Sequence, residues 1–279
     1  VCGIFNRNDV WIVRDKGKSV TVRDGKIIIS TGATENAVNF PGWNLPGVMG
    51  AGAAQTMINL HRVLPGRKVV MIGSGNVGII VSYQLLQAGA DVKTVVEAAP
   101  RLGGYGVHTA KVRRAGVPFY VSHTVLEARG TDYVESAVLV QIDDTWKPVP
   151  GTETVLDADT ICIAAGLTPL VEMAFAAGCT PVYSPVLGGM VPWHDETMRT
   201  SIPSIYMAGD ISGVEEASTA MEEGRMVGLG AAGALGYIGG NEYEEQYRTI
   251  EQRLLALRSG LFGRKMRDAK EAIISHGRG

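Results

Sequence analysis

The chain has 279 residues, 46% of them hydrophobic and 19% charged, with 26 Lys+Arg against 28 Asp+Glu. That length and composition exclude a disordered or fibrous chain and allow a core that needs no disulfide or metal staples. Near-neutral charge without a basic stripe removes the electrostatic case for nucleic-acid binding, and 36 glycines in no collagen-like period direct attention to Gly-rich turns.

Residues 10–30 read as a three-stranded meander, with strands at 10–13, 19–23 and 26–30. Asp15-Lys16-Gly17 and Asp24-Gly25 stand between them, and Asp-Gly flanked by β-branched residues favours a hairpin turn. A Pro/Gly-rich loop over 34–49 is followed by a predicted helix over 51–63, where Ala53, Met57, Leu60 and Val63 fall at helical spacing. Residues 68–72 then form an apolar strand, 73–78 read Gly-Ser-Gly-Asn-Val-Gly, 79–88 form a helix with Gly89 past its end, and 91–97 form a second strand ending at Glu97. This is βαβ grammar, so an α/β fold is expected. The 22 uncharged residues 69–90 are long enough to span a bilayer, but Gly73, Ser74, Gly75, Asn76, Gly78 and Gln84 mark strand, turn and helix instead, and no membrane span is expected. Further on, a helix is expected over 107–115, strands over 117–127, 134–142, 160–164 and 204–208, and a helix over 216–229. From Glu242 onward, Tyr243, Tyr247, Ile250, Leu254 and Leu257 recur at spacings of an amphipathic helix, with either its own domain or a partner chain to cover it.

The Gly-x-Gly-x-x-Gly opens a helix directly after a strand, with an acid at the end of the next strand. Each part has a physical task. Gly73 permits the tight turn, Gly75 lets a pyrophosphate approach the backbone, and Gly78 lets helix and strand pack closely. The helix start, with Asn76 and Val77, carries partial positive charge that suits a phosphate. Glu97 can accept hydrogen bonds from both hydroxyls of an adenosine ribose. It would repel a 2′-phosphate, so NAD is favoured over NADP, a preference moderated by nearby Arg101. Asp210, after Gly209 at the end of an apolar strand, reads either as a solvated or capping residue or as a ligand at a strand's carboxyl end, close to a helix start at Ala217. Thr31-Gly32-Ala33 and Ala165-Gly166-Leu167 are two similar strand exits, read as crossovers between domains. Cys2, Cys162 and Cys179 form no Cys-x-x-Cys. They read as inert thiols of a reducing compartment, cytoplasmic in the absence of a secretory signal, and no metal site is expected.

In order and spacing, residues 29–33, residues 73–78 with Glu97, Ala165-Gly166, residues 200–210 and Glu223-Gly224-Arg225 resemble the two-dinucleotide-binding-domain flavoproteins, the pyridine nucleotide–disulfide oxidoreductase-like family. The resemblance covers roughly residues 10–236. Residues 40–49 and Arg258-Ser259-Gly260 are similar, more narrowly, to the FAD-bearing subunit of heteromeric amine and amino-acid dehydrogenases. That group includes sarcosine oxidase α, opine oxidase A, dye-linked proline dehydrogenase α and hydrogen cyanide synthase B subunits.

The resemblance implies a Rossmann-like NAD-binding domain (65–166) inserted in an incomplete FAD-binding domain. Residues 1–64 would supply the meander and crossover, 167–240 its C-terminal part, and 241–279 a helical tail. It further implies that Gly73, Gly75, Asn76, Val77, Gly78 and Glu97 hold NAD. Asp210 after Gly209 would bond the ribityl chain of FAD, backbone at Ala217 would face the flavin pyrimidine, where a helix N-terminus stabilises negative charge, and Thr31, Gly32, Ala33 and Gly166 would lie by the cofactor. The family's own Gly-rich FAD cradle does not precede Val10, which implies a fragment of a longer chain or a half supplied by another chain. Redox-disulfide chemistry does not carry over without a Cys-x-x-Cys. The implied function is an FAD/NAD-dependent oxidoreductase, or a piece of one, passing hydride or electrons between nicotinamide and flavin in an amine- or amino-acid-oxidising complex with a second oxidoreductase subunit. The rivals are a non-catalytic nucleotide-binding or interaction subunit that docks through the 242–258 helix, and an NAD-only dehydrogenase, which needs a general acid. No catalytic side chain is identified, and His194 and Glu196 read as surface or loop residues.

Overall fold

In the computed structural model, which describes residues 1–6, 8–14, 17–23 and 25–276 (for 261 and 262 the backbone alone), the chain divides into two units. One holds residues 1–34 with 167–279, the other residues 35–166. The first unit opens with β1 (Gly3–Phe5), β2 (Asp9–Arg14) and β3 (Lys18–Arg23), an antiparallel sheet in that order. Ile4 lies opposite Val10, and both are buried. Arg23 ties the far strand back to Asp9 through Nε at 2.6 Å and Nη2 at 3.0 Å. The expected meander is therefore real, but its membership needs correcting. Its third strand is β1, whereas β4 (Ile27–Ile29) pairs in parallel with a strand at residues 205–207. The reason is burial: Ile27 and Ile29 join a cluster with Ile205, Met207 and Ile211, a gain that outweighs a local turn preference. Asp15, Lys16 and Asp24, on which both hairpin turns were placed, lie outside the described residues.

After β5 (Ala33–Glu35), the second unit runs β6 (Val48–Gly50), α1 (Ala51–Asn59), β7 (Lys68–Ile72), α2 (Asn76–Gln87), β8 (Asp91–Glu97), α3 (Gly106–Arg114), β9 (Phe119–Val121), β10 (His123–Arg129), β11 (Ser136–Gln141), β12 (Thr154–Asp157) and β13 (Thr160–Ile163). Its centre is a five-stranded parallel sheet of order β6-β13-β7-β8-β9. The unit thus begins at Glu35, ahead of the expected boundary at residue 65, because β6 pairs with β13. Successive residues of β7 face opposite ways. Val69 and Met71 pack with Ala51, Ala54, Ile79, Leu85 and Val112 of the helices. Val70 and Ile72 pack with Val125, Ala137 and Leu139 of the antiparallel β10-β11-β12 sheet. A parallel sheet covered on both faces explains the long apolar run at 69–90, which is a strand, a turn and a helix. Met71, Ile79, Leu85 and Ile161 are fully buried, each contributing about 1.5–3 kcal/mol relative to exposure. Among the described residues no helix is long and apolar enough to cross a membrane. Local differences from expectation have local causes: α1 stops at Asn59 before Arg62 takes φ +58°, and Ser122 at φ +53° splits the expected strand 117–127 into β9 and β10.

The chain then returns to the first unit. β14 (Leu167–Pro169) pairs with β5, followed by α4 (Glu172–Ala176), the hairpin of β15 (Pro181–Ser184) and β16 (Gly189–Pro192), β17 (Ile205–Met207), α5 (Ala217–Ala234), α6 (Gly240–Leu257) and α7 (Leu261–His276). The parallel partner of β4 is β17. The predicted seam of α6 packs Tyr243, Tyr247, Ile250 and Leu254 on Met226, Val227 and Leu229 of α5, and only Leu257 of the series is left exposed. The tail expected to be helical holds a second helix, α7, whose Met266, Ala269 and Ile273 pack on Leu187 and Val191.

Candidate functional site

In the second unit, β7 turns into α2 through residues 73–78. Gly73 takes φ +95°, and a Cβ there would sit 2.3 Å from the Ala164 carbonyl oxygen. A Cβ on Gly78 would sit 2.2 Å from the Gly73 carbonyl oxygen. Both glycines are demanded by packing. Gly75 is different: it has an ordinary φ of −62° and nothing lies within 4 Å of the position its Cβ would take. The α2 N-terminus has no side-chain cap hydrogen bond, and Val77 is exposed beside it. A helix start leaves N–H groups without intrahelical partners, a setting for an anion.

Glu97, the last residue of β8, reaches this turn. Its Oε2 accepts from Ser74 N at 2.9 Å and Ser74 Oγ at 2.5 Å, and its Oε1 accepts from Ala99 N at 2.8 Å. Gly103 N donates to Ser74 Oγ and Tyr105 N to Asn76 Oδ1, both at 2.9 Å. The structure thus gathers Gly73, Gly75, Asn76, Val77, Gly78 and Glu97 about one turn. Gly166, also in this unit, takes φ +96° and accepts from Asn36 N at 3.0 Å.

In the first unit, parallel pairing of β4 with β17 carries residues 30–33 and 208–210 to the same carboxyl end, where open α/β sheets bind ligands. Thr31 donates its hydroxyl to the Leu170 carbonyl at 2.5 Å, and Gly32 takes φ +75° with open space where its Cβ would be, ahead of Ala33 in β5. Gly209 takes φ +79° and donates its N–H to Glu223 Oε2 at 2.9 Å. Asp210 opens a short 3₁₀ turn over Asp210–Ser212 and accepts a long bond of 3.4 Å from Glu215 N. Burial pushes its carboxyl above the usual range, so a hydroxyl donor at this acceptor would be stabilising. Ala217 is exposed as the first residue of α5, whose N-cap Glu216 makes no side-chain cap hydrogen bond.

Behind this turn lies an ionic cluster that sequence reasoning did not anticipate. Glu223 on α5 is 2% exposed. Its Oε2 also accepts from Ser212 Oγ at 3.0 Å, while its Oε1 accepts from Arg258 Nη2 at 2.6 Å and Lys270 Nζ at 2.9 Å. Arg258 grips Glu215 as well, through Nε at 2.9 Å and Nη2 at 2.6 Å, and Lys270 donates to Ser212 Oγ. Burial alone would raise the Glu223 carboxyl, but the charges of Lys270 and Arg258 prevail and hold it down at about 2. The available signals were Glu223 and Arg258, both within segments that carry the family resemblance, and Lys270 on the apolar face of α7, four residues from Met266. His194 also needs correction, since it is buried rather than at the surface, held by an antiparallel bridge to Thr200. Its Nδ1 lies 2.9 Å from the Asp195 carbonyl, and burial, with the charge of Lys270, pushes it down to about 4. Cys162 and Cys179 are buried free thiols, the first pushed by burial up to about 12.

The family model for pyridine nucleotide-disulphide oxidoreductases matches residues 2–224. The opine oxidase A protein of Agrobacterium tumefaciens is 28% identical over 272 residues, which cover 91% of this chain and 52% of that protein. Hydrogen cyanide synthase subunit HcnB of Pseudomonas aeruginosa is 28% identical over 219 residues, or 73% of this chain and 47% of that protein. The chain therefore spans about half the length of these curated relatives. Among solved structures, thioredoxin reductase of T. acidophilum superposes with a TM-score of 0.63 at 21% identity over 78% of this chain and 69% of that one. L-proline dehydrogenase of P. horikoshii superposes with 0.60 at 22% identity over 88% and 42%. Both are likenesses of fold.

Proposed function

The chain belongs to the pyridine nucleotide-disulphide oxidoreductase family, whose cofactors are FAD and a pyridine nucleotide, and from that premise we propose that it serves an oxidoreductase passing hydride or electrons between NAD and flavin. The enzyme would be an amine- or amino-acid-oxidising complex with a second oxidoreductase subunit. The observation that carries the reading is Glu97, fixed by three hydrogen bonds at the edge of a Gly-rich turn whose Gly75 face is open. The N-terminus of α2 would hold the dinucleotide pyrophosphate. Glu97 would accept ribose hydroxyls and repel a 2′-phosphate. Asp210 would accept from the ribityl chain of FAD, and the α5 start at Ala217 would set partial positive charge beside the flavin pyrimidine. Thr31, Gly32, Ala33, Gly166 and Gly209 would supply backbone close to the cofactors. The bound cofactors supply the hydride chemistry; the protein binds, orients and discriminates. That the relatives are named as subunits of an opine oxidase and a hydrogen cyanide synthase supports a partner chain and an amine or amino-acid substrate. Buried free thiols suit a reducing compartment such as the cytoplasm.

Calorimetry of the whole chain with NADH and NADPH tests the reading. Saturable NADH binding, tighter than NADPH, is expected; binding of neither overturns it.

A further inference from the structure

Ser74 occupies a variable position of the Gly-rich motif, yet it is fully buried. Its Oγ accepts from Gly103 N, so its single proton is available to Glu97 Oε2, to which it lies at 2.5 Å. Its backbone N–H reaches the same oxygen. With Ala99 N on Oε1, the carboxylate is held at both oxygens, and rotating it breaks bonds on each side. The Asn76 side chain takes Tyr105 N and fastens the same segment at a second point. The fastened segment lies close: a Cβ on Gly104 would stand 2.9 Å from the Ser74 carbonyl oxygen.

We propose that Ser74 is a positioning residue for nucleotide selectivity, locking the Glu97 carboxylate and the 99–105 segment onto the Gly-rich turn so that Glu97 presents a fixed acceptor to the adenosine ribose. This rests on the NAD reading above. It adds a determinant that never touches the ligand and acts through the orientation of one that does, by preorganisation.

The experiment uses the whole chain and has two arms. In the first, amide hydrogen exchange is followed over 99–105 without nucleotide. Ser74→Ala should speed exchange there and leave the α2 interior unchanged; unchanged exchange over 99–105 overturns the lock. In the second, calorimetry compares NADH with its 2′-deoxyadenosine analogue for wild type, Ser74→Ala, Glu97→Gln and the double variant. Ser74→Ala should weaken NADH by about tenfold, the scale of a charge-assisted hydrogen bond, weaken the deoxy analogue less, and add little on Glu97→Gln. Equal weakening of both ligands, or full additivity with Glu97→Gln, assigns Ser74 a merely structural role and overturns the proposal. Faster exchange in a chain that binds no NADH leaves the lock standing and removes both the NAD reading and the selectivity built on it. Should Ser74→Ala fold poorly, Gly104→Ala, whose methyl would press on the Ser74 carbonyl oxygen and push the segment off the turn while both side chains of the Ser74–Glu97 pair stay in place, should give the same exchange and ligand-dependent pattern.

Discussion

The two glycine turns of this molecule are fixed by different physics. The turn at 73–78 is held by short hydrogen bonds around one carboxylate, all from a contiguous stretch of about thirty residues in one βαβ unit, and by close backbone packing of Gly73 and Gly78 in which Ala164 is the remote partner. The turn at 209–212 is held from behind by Glu223, Arg258 and Lys270, two cations from α6–α7 closing on an acid of α5. The family match ends at residue 224, so it includes Glu223 and omits both cations. A motif-built turn carries its support locally. A turn supported by distant charge depends on the tail, which thereby helps to shape it. An ion cluster in low dielectric is a weak source of net stability but costly to break, so the two turns should fail in different ways.

The largest effect should come from unpairing that cluster. Glu223→Leu leaves Arg258 and Lys270 facing each other without the carboxylate, and should cost about 3–5 kcal/mol in urea unfolding. Glu223→Leu combined with Lys270→Met should cost less than the sum of the two single changes. Full additivity would mean the cluster is not coupled and would erase the contrast between the turns.

Next in size is an acid response led by His194 and Glu223 of the first unit. His194 is lowered from 6.5 to about 4, chiefly by burial and then by the charge of Lys270. Its folded form therefore binds fewer protons than the unfolded chain between those values. The stability this gives is complete above 6.5 and is lost as pH falls toward 4. Glu223 is lowered from 4.5 to about 2, so its share is lost only as pH falls from 4.5 toward 2. Unfolding free energy should drop by a few kcal/mol between about pH 7 and about pH 4, and His194→Leu should flatten that upper step while leaving the lower one. A flat profile in the unmodified chain would mean that His194 titrates as it does in water.

What the sequence made legible follows the same division. The β7–turn–α2–β8 unit, Glu97 and the seam of α6 were readable because each depends on neighbours one turn or one strand away. Asp210 was readable as the acid ending an apolar strand. Arg258 and Lys270 were not, since they meet Glu223 across 35 and 47 residues and a lysine on a helix reads as solvated until its partner is known. The partner of β4, residues 205–207, follows only after the whole second unit, and only burial of Ile27 and Ile29 selects it. The burial of His194 was not legible, since it is set by packing and by a bridge to Thr200 rather than by its sequence neighbours. Ser74 was hidden inside a motif that specifies only its glycines.

The smallest change in stability should separate two glycines of one motif and so test the local turn on its own terms. Gly78→Ala puts a methyl 2.2 Å from the Gly73 carbonyl oxygen and 3.1 Å from the Ala164 Cβ. Backbone must move, and a loss of about 1–3 kcal/mol is expected from overpacking. Gly75→Ala meets no atom within 4 Å and has an ordinary φ, so stability should change by less than about 0.5–1 kcal/mol. Its methyl would nonetheless stand where a pyrophosphate must approach the α2 start, and NADH affinity should fall at least tenfold, about 1.4 kcal/mol. Thermal melting and calorimetry on the same two variants read both quantities. If Gly75→Ala binds NADH as well as the parent chain does, the open face of this turn is not the phosphate cradle, and Glu97 would have to recognise its ribose without one.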